Sequence, residues 1–388
     1  MPDLLLVHDF PPLGGGIARW MAEFAKRADL VVSTGTLPDA DDGAFPGGVD
    51  RLGFSSNLLK TLPGQLFWRS RVKALVKEHA PRFIWAGNVR PAGPVAAGTA
   101  ARHRVPFGLM LHGGDLLRLA ERQRRSRRRR RMVRGVLSTA AAVVANSRWT
   151  AELATEVAAE FGADLGDRLR VVPLGSDPTV FRPRADRAAI LERFRLPPNF
   201  SWLLTVARLV PHKGIDRGIE VLGRLRHLYP ELGYLVVGQG PDRPRLQALA
   251  DQEGVADRVL FLTDVADSDL PAVHAMAAVY LGLSRQDGLE VEGFGISLVD
   301  AAASGVPVVA GQGGGTADAV LDGETGLLVP AADPAAIAAA VDSLLGDPER
   351  RAELGRAGRD WVERDRNWDR VARDLAAISR AAATAAPS

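Results

Sequence analysis

The chain has 388 residues, 46% hydrophobic and 24% charged, a length and balance that favour two domains with separate cores. It contains no cysteine, which excludes disulfides, thiolate metal sites and cysteine nucleophiles and suits a reducing compartment. The net charge of +3 is uneven: Arg118, Arg122, Arg124, Arg125, Arg127, Arg128, Arg129, Arg130, Arg131 and Arg134 crowd into one segment with a single acid, Glu121, so the remainder is mildly acidic.

The first apolar run, residues 4–7, has no basic flank before it and no small-residue cleavage site after it, so it reads as a strand and not as a secretory leader. No stretch approaches the roughly 20 apolar residues of a membrane span. A cytoplasmic protein, at most peripheral on the inner face of a membrane, is expected. Further strands are expected at 30–33, 83–86, 107–111 and 142–145, with helical patterns at 18–26, 69–78 and 149–161 between them. Runs apolar on both faces fit a parallel sheet covered by helices on each side. The stretch from 171 to 198, punctuated by Pro178, Pro183, Pro197 and Pro198, reads as a linker. Alternation then restarts, with strands expected at 202–206, 233–237, 259–262, 279–281, 306–309 and 326–329. Helices are expected at 334–345 and from 348 to about 383. The fold class is therefore α/β, two Rossmann-like doubly wound parallel-sheet domains joined by a proline-rich hinge. Ligands of such sheets bind outside the carboxyl ends of the strands, so the loops that follow strands should carry the chemistry and face a cleft.

Several such loops stand out. Residues 11–16 end in Gly14, Gly15 and Gly16 and open a helix, a pattern whose backbone amides can approach a phosphate or a sugar, or which makes a tight turn and nothing more. It is not G-x-G-x-x-G, and no acid closes the second strand, which argues against a dehydrogenase. His112, with Gly113, Gly114 and Asp115, follows a strand; it either faces a substrate or is a structural histidine, and Asp115 can cap a helix beginning at Leu116. Arg208 and Lys213 bracket a strand-to-helix loop, where two cations can converge on a diphosphate or simply be solvated. Glu292, Gly293, Phe294, Gly295 and Ile296 place a carboxylate beside a helix start, so that Glu292 can hold sugar hydroxyls and the amides of Phe294, Gly295 and Ile296 phosphate oxygens. A glycine-rich loop at 311–316 precedes Asp318, which suits an early helix position. The arginine tract, with arginines at several helical phases, reads as a solvated helix face without a clean apolar side, or as a contact for an anionic membrane surface. No zinc spacing, aromatic RNA-binding pattern or helix-turn-helix accompanies it, so no nucleic-acid partner is expected.

Ten segments in order carry a resemblance over nearly the whole chain: 11–16, 112–113, 146–147, 172–175, 181–183, 206–208 with 213–214, 237–240, 292–295, 303–309 and 322–329. Together they resemble family 4 of the retaining glycosyltransferases. The resemblance implies a GT-B fold, with an acceptor domain over 1–180 joined by a C-terminal crossover helix at about 367–384, and a donor domain over 181–366. It implies a metal-independent hexosyltransferase that needs no cofactor beyond its nucleotide-sugar donor. Arg208 and Lys213 would hold the diphosphate and Glu292 the transferred sugar. Gly15 and Gly16 would approach the donor from the other domain, and His112 would lie near the reacting carbon. The departing phosphate would take the acceptor's proton in a front-face attack. The chain departs from the family pattern at Asp300, where a second glutamate usually binds the ribose, and again at Asp318. Residues 287–296 are similar to the donor loop of GDP-mannose-dependent phosphatidylinositol mannosyltransferases, which favours GDP-mannose as donor and a sugar, lipid-linked or small-molecule acceptor, with loops 37–54 and 55–68 as acceptor contacts. A UDP-glucose or UDP-N-acetylglucosamine transferase, a sugar-nucleotide epimerase and a non-catalytic nucleotide-sugar scaffold are the competing readings.

Overall fold

The computed structural model describes residues 1–123, 126–184 and 187–385, so Arg124 and Arg125 of the arginine tract lie outside the described residues. Two units emerge, Met1–Leu174 with the segment from Trp368 onward, and Gly175–Asn367. The first contains β1 (Asp3–Leu6), α1 (Gly16–Arg27), β2 (Leu30–Thr36), β3 (Val49–Ser55), α2 (Leu62–His79), β4 (Ile84–Ala86) and α3 (Ala92–His103). It continues with β5 (Phe107–Leu111), α4 (Gly114–Gln123), α5 (Arg127–Thr139), β6 (Ala142–Ala145), α6 (Arg148–Glu160) and β7 (Leu169–Val171). Its seven strands are parallel, in the order β3-β2-β1-β4-β5-β6-β7. The central strands β1, β4, β5 and β6 are buried throughout, because helices cover both faces and leave no side for polar residues. Trp20, Trp68 and Trp85 are fully buried, and the Trp68 indole N–H donates to the Ser33 hydroxyl at 3.0 Å.

The second unit contains α7 (Arg187–Arg193), β8 (Ser201–Val206), α8 (Ile215–Leu225), β9 (Leu232–Val237), α9 (Arg243–Gln252), β10 (Val259–Leu262) and α10 (Leu270–Ala275). Then follow β11 (Val279–Gly282), α11 (Ile296–Ala303), β12 (Val308–Gly311), β13 (Gly326–Val329), α12 (Pro334–Gly346) and α13 (Pro348–Asp365). Its six strands run β10-β9-β8-β11-β12-β13, again parallel. In each sheet the chain starts in the middle, winds to one edge and returns to the other side of its first strand. The order therefore reverses between β1 and β4, and between β8 and β11, where the loops part and leave room for a ligand.

Four expectations need correction. Residues 37–54 and 55–68 are not plain loops, since β3 and the start of α2 lie in them. The linker holds the edge strand β7 and the short helix α7. The helical tail from 348 is two helices, with a break at Arg366–Asn367, where the Ser176 amide donates to the Arg366 carbonyl at 2.9 Å. Residues 175–180, expected in the first domain, pack with the second unit, because the Ser176 hydroxyl bonds Asp300 at 2.6 Å and Arg359 donates to the Pro178 carbonyl at 3.4 Å. After the break, α14 (Trp368–Ala385) buries Trp368, Val371, Ala372 and Leu375 and packs against α1, where Arg27 Nε donates to Asp369 at 2.7 Å. No helix among the described residues is long and apolar enough to cross a membrane.

Leu375 is fully buried, so Leu375→Ala should cost about 2–5 kcal/mol through lost apolar contact and a residual cavity. Urea unfolding measures it; a loss below about 1 kcal/mol would show that α14 does not pack on the first unit as described.

Candidate active site

In the second unit the loops after β8 and β11 meet. Val210 enters a tight turn over Pro211–Lys213, and Gly214, in the left-handed region at φ 69°, begins α8. A side chain on Gly214 would overlap the Leu283 carbonyl just past β11. This packing brings Lys213 Nζ to 2.6 Å from Glu292 Oε2, and the Ser284 hydroxyl donates to the same oxygen at 3.3 Å. Both side chains are partly accessible, 17% and 21% exposed, so the pair is shielded yet reachable. Arg208 is exposed, with no side-chain partner among the described residues. The structure therefore joins Lys213 to Glu292 and leaves Arg208 projecting alone.

Behind Glu292, Gly295 caps α11 at φ 101° with no side-chain capping bond. The first-turn amides of a helix have no intrahelical acceptor, and they carry the positive end of its dipole. Gly293, Phe294 and Ile296 are buried around that start. The glycine loop after β12 closes over the same place: the Gly315 amide donates to the Glu292 carbonyl at 2.9 Å, and Gly314 lies so close to that carbonyl that a side chain would not fit. Asp318, buried in a short 3-10 turn, belongs to this loop. Asp300 sits inside α11, buried, with its carboxylate accepting the Ser176 hydroxyl. A ribose hydroxyl reaching Asp300 would have to share it with Ser176.

Burial pushes the Glu292 carboxyl up, but the charge and hydrogen bond of Lys213, helped by His212 and Ser284, overcome it and hold the group below the usual carboxylate range. His212 is buried and its imidazole is lowered by that burial and by Lys213, so it adds no second positive charge beside the ammonium at neutral pH.

In the first unit, Gly15 caps α1 at φ 115° with no side-chain capping bond, and space is open where a side chain on Gly14 or Gly15 would lie. Gly16 is the first residue of α1. Arg51 fastens this loop by donating to the Pro11 carbonyl at 2.7 Å and pairing with Asp42. His112 ends β5 in a buried setting: Nε2 donates to the Gly87 carbonyl at 2.6 Å, Trp20 lies edge-on at 5.0 Å, and Asp115 accepts the His112 amide at 3.1 Å. The carbonyl only accepts, so Nε2 carries a proton. Asp115 lies inside the first turn of α4 and is not its cap. His8 and Asn88, bonded at 2.8 Å after β1 and β4, were not singled out by sequence. His8 is lowered chiefly by burial. Ser284 and His212 also escaped notice; the signals that could have flagged them are the place of Ser284 two residues past β11 and that of His212 beside Lys213.

Two surfaces of the first unit are distinctive. Along α5, Arg127, Arg128, Arg129, Arg131 and Arg134 are exposed while Val133, Val136 and Leu137 are buried, so this helix does have an apolar face. Arg130 turns back to the Glu160 carbonyl at 2.6 Å and over the Phe161 ring. On α2, Leu62, Leu66 and Phe67 are 60–64% exposed, with Leu58 just before them and Lys77 exposed further along the helix.

Comparison with known proteins bears on both units. Residues 186–361 match the model described as glycosyl transferases group 1, and residues 14–180 that described as glycosyltransferase family 4. The chain is 35% identical over 380 residues, 94% of each chain, to the GDP-mannose-dependent alpha-(1-6)-phosphatidylinositol monomannoside mannosyltransferase of Mycolicibacterium smegmatis. It is 27% identical, again over 94% of each, to the monoacylated-substrate counterpart from Corynebacterium glutamicum. Among solved structures, sucrose-phosphate synthase of Thermosynechococcus elongatus superposes with a TM-score of 0.78 at 23% identity over 98% of both chains. Anabaena HepE in complex with UDP does so at 0.78 and 21%, over 98% of this chain and 100% of that one. These likenesses give both parallel-sheet units the GT-B fold.

Because the folded-state pKa of Glu292 is depressed, the Lys213–Glu292 pair stabilises the fold fully above the ordinary carboxyl value and loses that contribution as pH falls through the folded value. Glu292→Gln should therefore lower the melting temperature most near neutrality, with the gap to wild type closing below roughly pH 4. A gap independent of pH would contradict the pairing.

Proposed function

We propose a donor, an acceptor class and a stereochemical course for a chain that belongs to glycosyltransferase family 4 and is, on that premise, a glycosyltransferase. The donor is GDP-mannose, the acceptor a hydroxyl of a lipid-linked glycan, and transfer retains the anomeric configuration without a metal. The observation that carries this reading is the Lys213–Glu292 contact of 2.6 Å at the β8/β11 switch point, in front of the uncapped start of α11. It gathers a cation for the diphosphate, a carboxylate for sugar hydroxyls and free amides for phosphate oxygens in one place. The mannosyl donor and lipid acceptor are suggested by the Mycolicibacterium and Corynebacterium relatives, which are described by those substrates.

The roles follow from the chemistry of each group. Lys213 and Arg208 stabilise the charge that grows on the leaving GDP, aided by the amides of Gly293, Phe294, Gly295 and Ile296. Glu292 orients hydroxyls of the transferred sugar, and Asp300 reaches a ribose hydroxyl by sharing its carboxylate with Ser176. The bond from C1 to the phosphate oxygen breaks, the acceptor oxygen bonds C1 on the same face, and the acceptor proton passes to the departing phosphate. No protein base is required, and the anomer is kept. A lipid acceptor would also place the enzyme at a bilayer, where the Arg127–Arg134 face supplies positive charge for anionic headgroups and Leu62, Leu66 and Phe67 supply apolar side chains for the interface.

The test supplies GDP-mannose to the protein in EDTA, with phosphatidylinositol monomannoside in anionic vesicles, and assigns the product anomer by NMR. An α-mannosyl product is expected, with turnover lowered about 10²–10³-fold by Lys213→Ala. Leu66→Ser with Phe67→Ser should slow transfer to the vesicle-borne acceptor and leave slow hydrolysis of GDP-mannose unchanged. Transfer from UDP-sugars alone, epimerised donor without transfer, or an inverted product would overturn the reading.

A further inference from the structure

An ammonium stabilises a leaving group only if it is held where charge develops, and a misplacement of about 1 Å can cost 10²-fold in rate. Lys213 lies on a short turn between β8 and α8, and three contacts tie this turn to the segment after β11. The Arg285 amide donates to the His212 carbonyl at 2.8 Å. Gly214 packs against the Leu283 carbonyl with no room for a side chain. Asp216, in the first turn of α8, receives Arg285 Nη1 on one oxygen and Nη2 on the other, each at 2.8 Å.

This third contact is built unlike a surface ion pair. Asp216 is buried and Arg285 about three-quarters so, and their two parallel bonds fix the geometry in a way one bond cannot. Arg245 reaches the same carboxylate at 3.7 Å and is itself forked onto Asp242 at 2.7 Å. Burial pushes the Asp216 carboxyl up, and Arg285, together with Arg245 and Arg217, more than offsets this and holds it below the usual carboxylate range. Next to Arg285 in the chain is Ser284, whose hydroxyl meets Glu292. The fork therefore holds the Lys213 turn against the segment that follows β11. A buried ion pair is in general a weak source of stability, whereas a rigid link between two loops that carry functional groups fixes position.

We propose that Asp216 and Arg285 are a positioning pair for glycosyl transfer, acting through Lys213 by setting where its ammonium meets the leaving diphosphate. The inference rests on the donor-site reading given above.

A double-mutant cycle tests it. Transfer from GDP-mannose is measured for wild type, Asp216→Asn, Lys213→Ala and the double variant, with thermal unfolding of each. In the wild-type background Asp216→Asn should lower kcat about 100-fold. In the Lys213→Ala background the same change should matter less than about 2-fold, since an absent ammonium cannot be misplaced. Should Asp216→Asn unfold at the assay temperature, Arg285→Lys, which keeps the charge and loses the fork, completes the cycle. Equal losses in both backgrounds would overturn the inference while leaving the donor site standing. Unchanged transfer in Lys213→Ala would bring down the donor-site reading and this inference with it.

Discussion

The contact between Lys213 and Glu292 is the interaction on which the rest of the site depends. A carboxylate in that shielded position would titrate upward on its own, and burial alone pushes it that way. The ammonium at 2.6 Å, helped by His212 and Ser284, reverses the shift and keeps the carboxylate charged. The pair thus stands ready, and a ligand carrying both a diphosphate and hydroxyls can replace the pairing with two contacts of better fit. The open helix start of α11 and the glycine loop around 313–315 add donors without adding charge that would compete.

That contact exists because of a constraint set far from it. A doubly wound sheet must reverse its strand order once, and the loops on either side of the reversal separate at the carboxyl ends. In the second unit the reversal falls between β8 and β11, which lead to Lys213 and to Ser284 and Glu292. In the first unit it falls between β1 and β4, which lead to His8 and the glycine turn, and to Gly87 and Asn88. Close packing of Gly214 on Leu283 and of Gly314 on Glu292 then sets the loops against one another. Stability of the sheets and placement of the reactive groups are consequences of the same topology.

Much of this was legible in the sequence, for identifiable reasons. Strands buried on both faces announce themselves as unbroken apolar runs, and the six strands of the second sheet were all read to within two residues at their ends. The edge strands β3 and β7 were not: Asp50, Arg51 and Gly53 in one and Arg170 in the other break the apolar signal. The α5 arginines hid Val133, Val136 and Leu137, because charge at every phase of the first two turns masks a stripe confined to the last. The break at Arg366–Asn367 has no proline or glycine to mark it; it arises from pairing with Ser176, nearly two hundred residues earlier. Glu292, Lys213 and His112 were recognisable as motif residues. That Glu292 would be paired with Lys213, Asp300 with Ser176, and Asp216 with Arg285 depends on partners 69 to 124 positions away, and no local pattern encodes that.

The central claim is that Lys213 serves the diphosphate and Glu292 serves the sugar. Calorimetric titration of wild type, Lys213→Ala and Glu292→Gln with GDP and with GDP-mannose separates the two roles. The account predicts that Lys213→Ala weakens both ligands, whereas Glu292→Gln weakens GDP-mannose alone and leaves GDP bound at least as tightly, since Lys213 then has no carboxylate to leave. Equal weakening of GDP and GDP-mannose by Glu292→Gln, or unchanged GDP binding in Lys213→Ala, would contradict it.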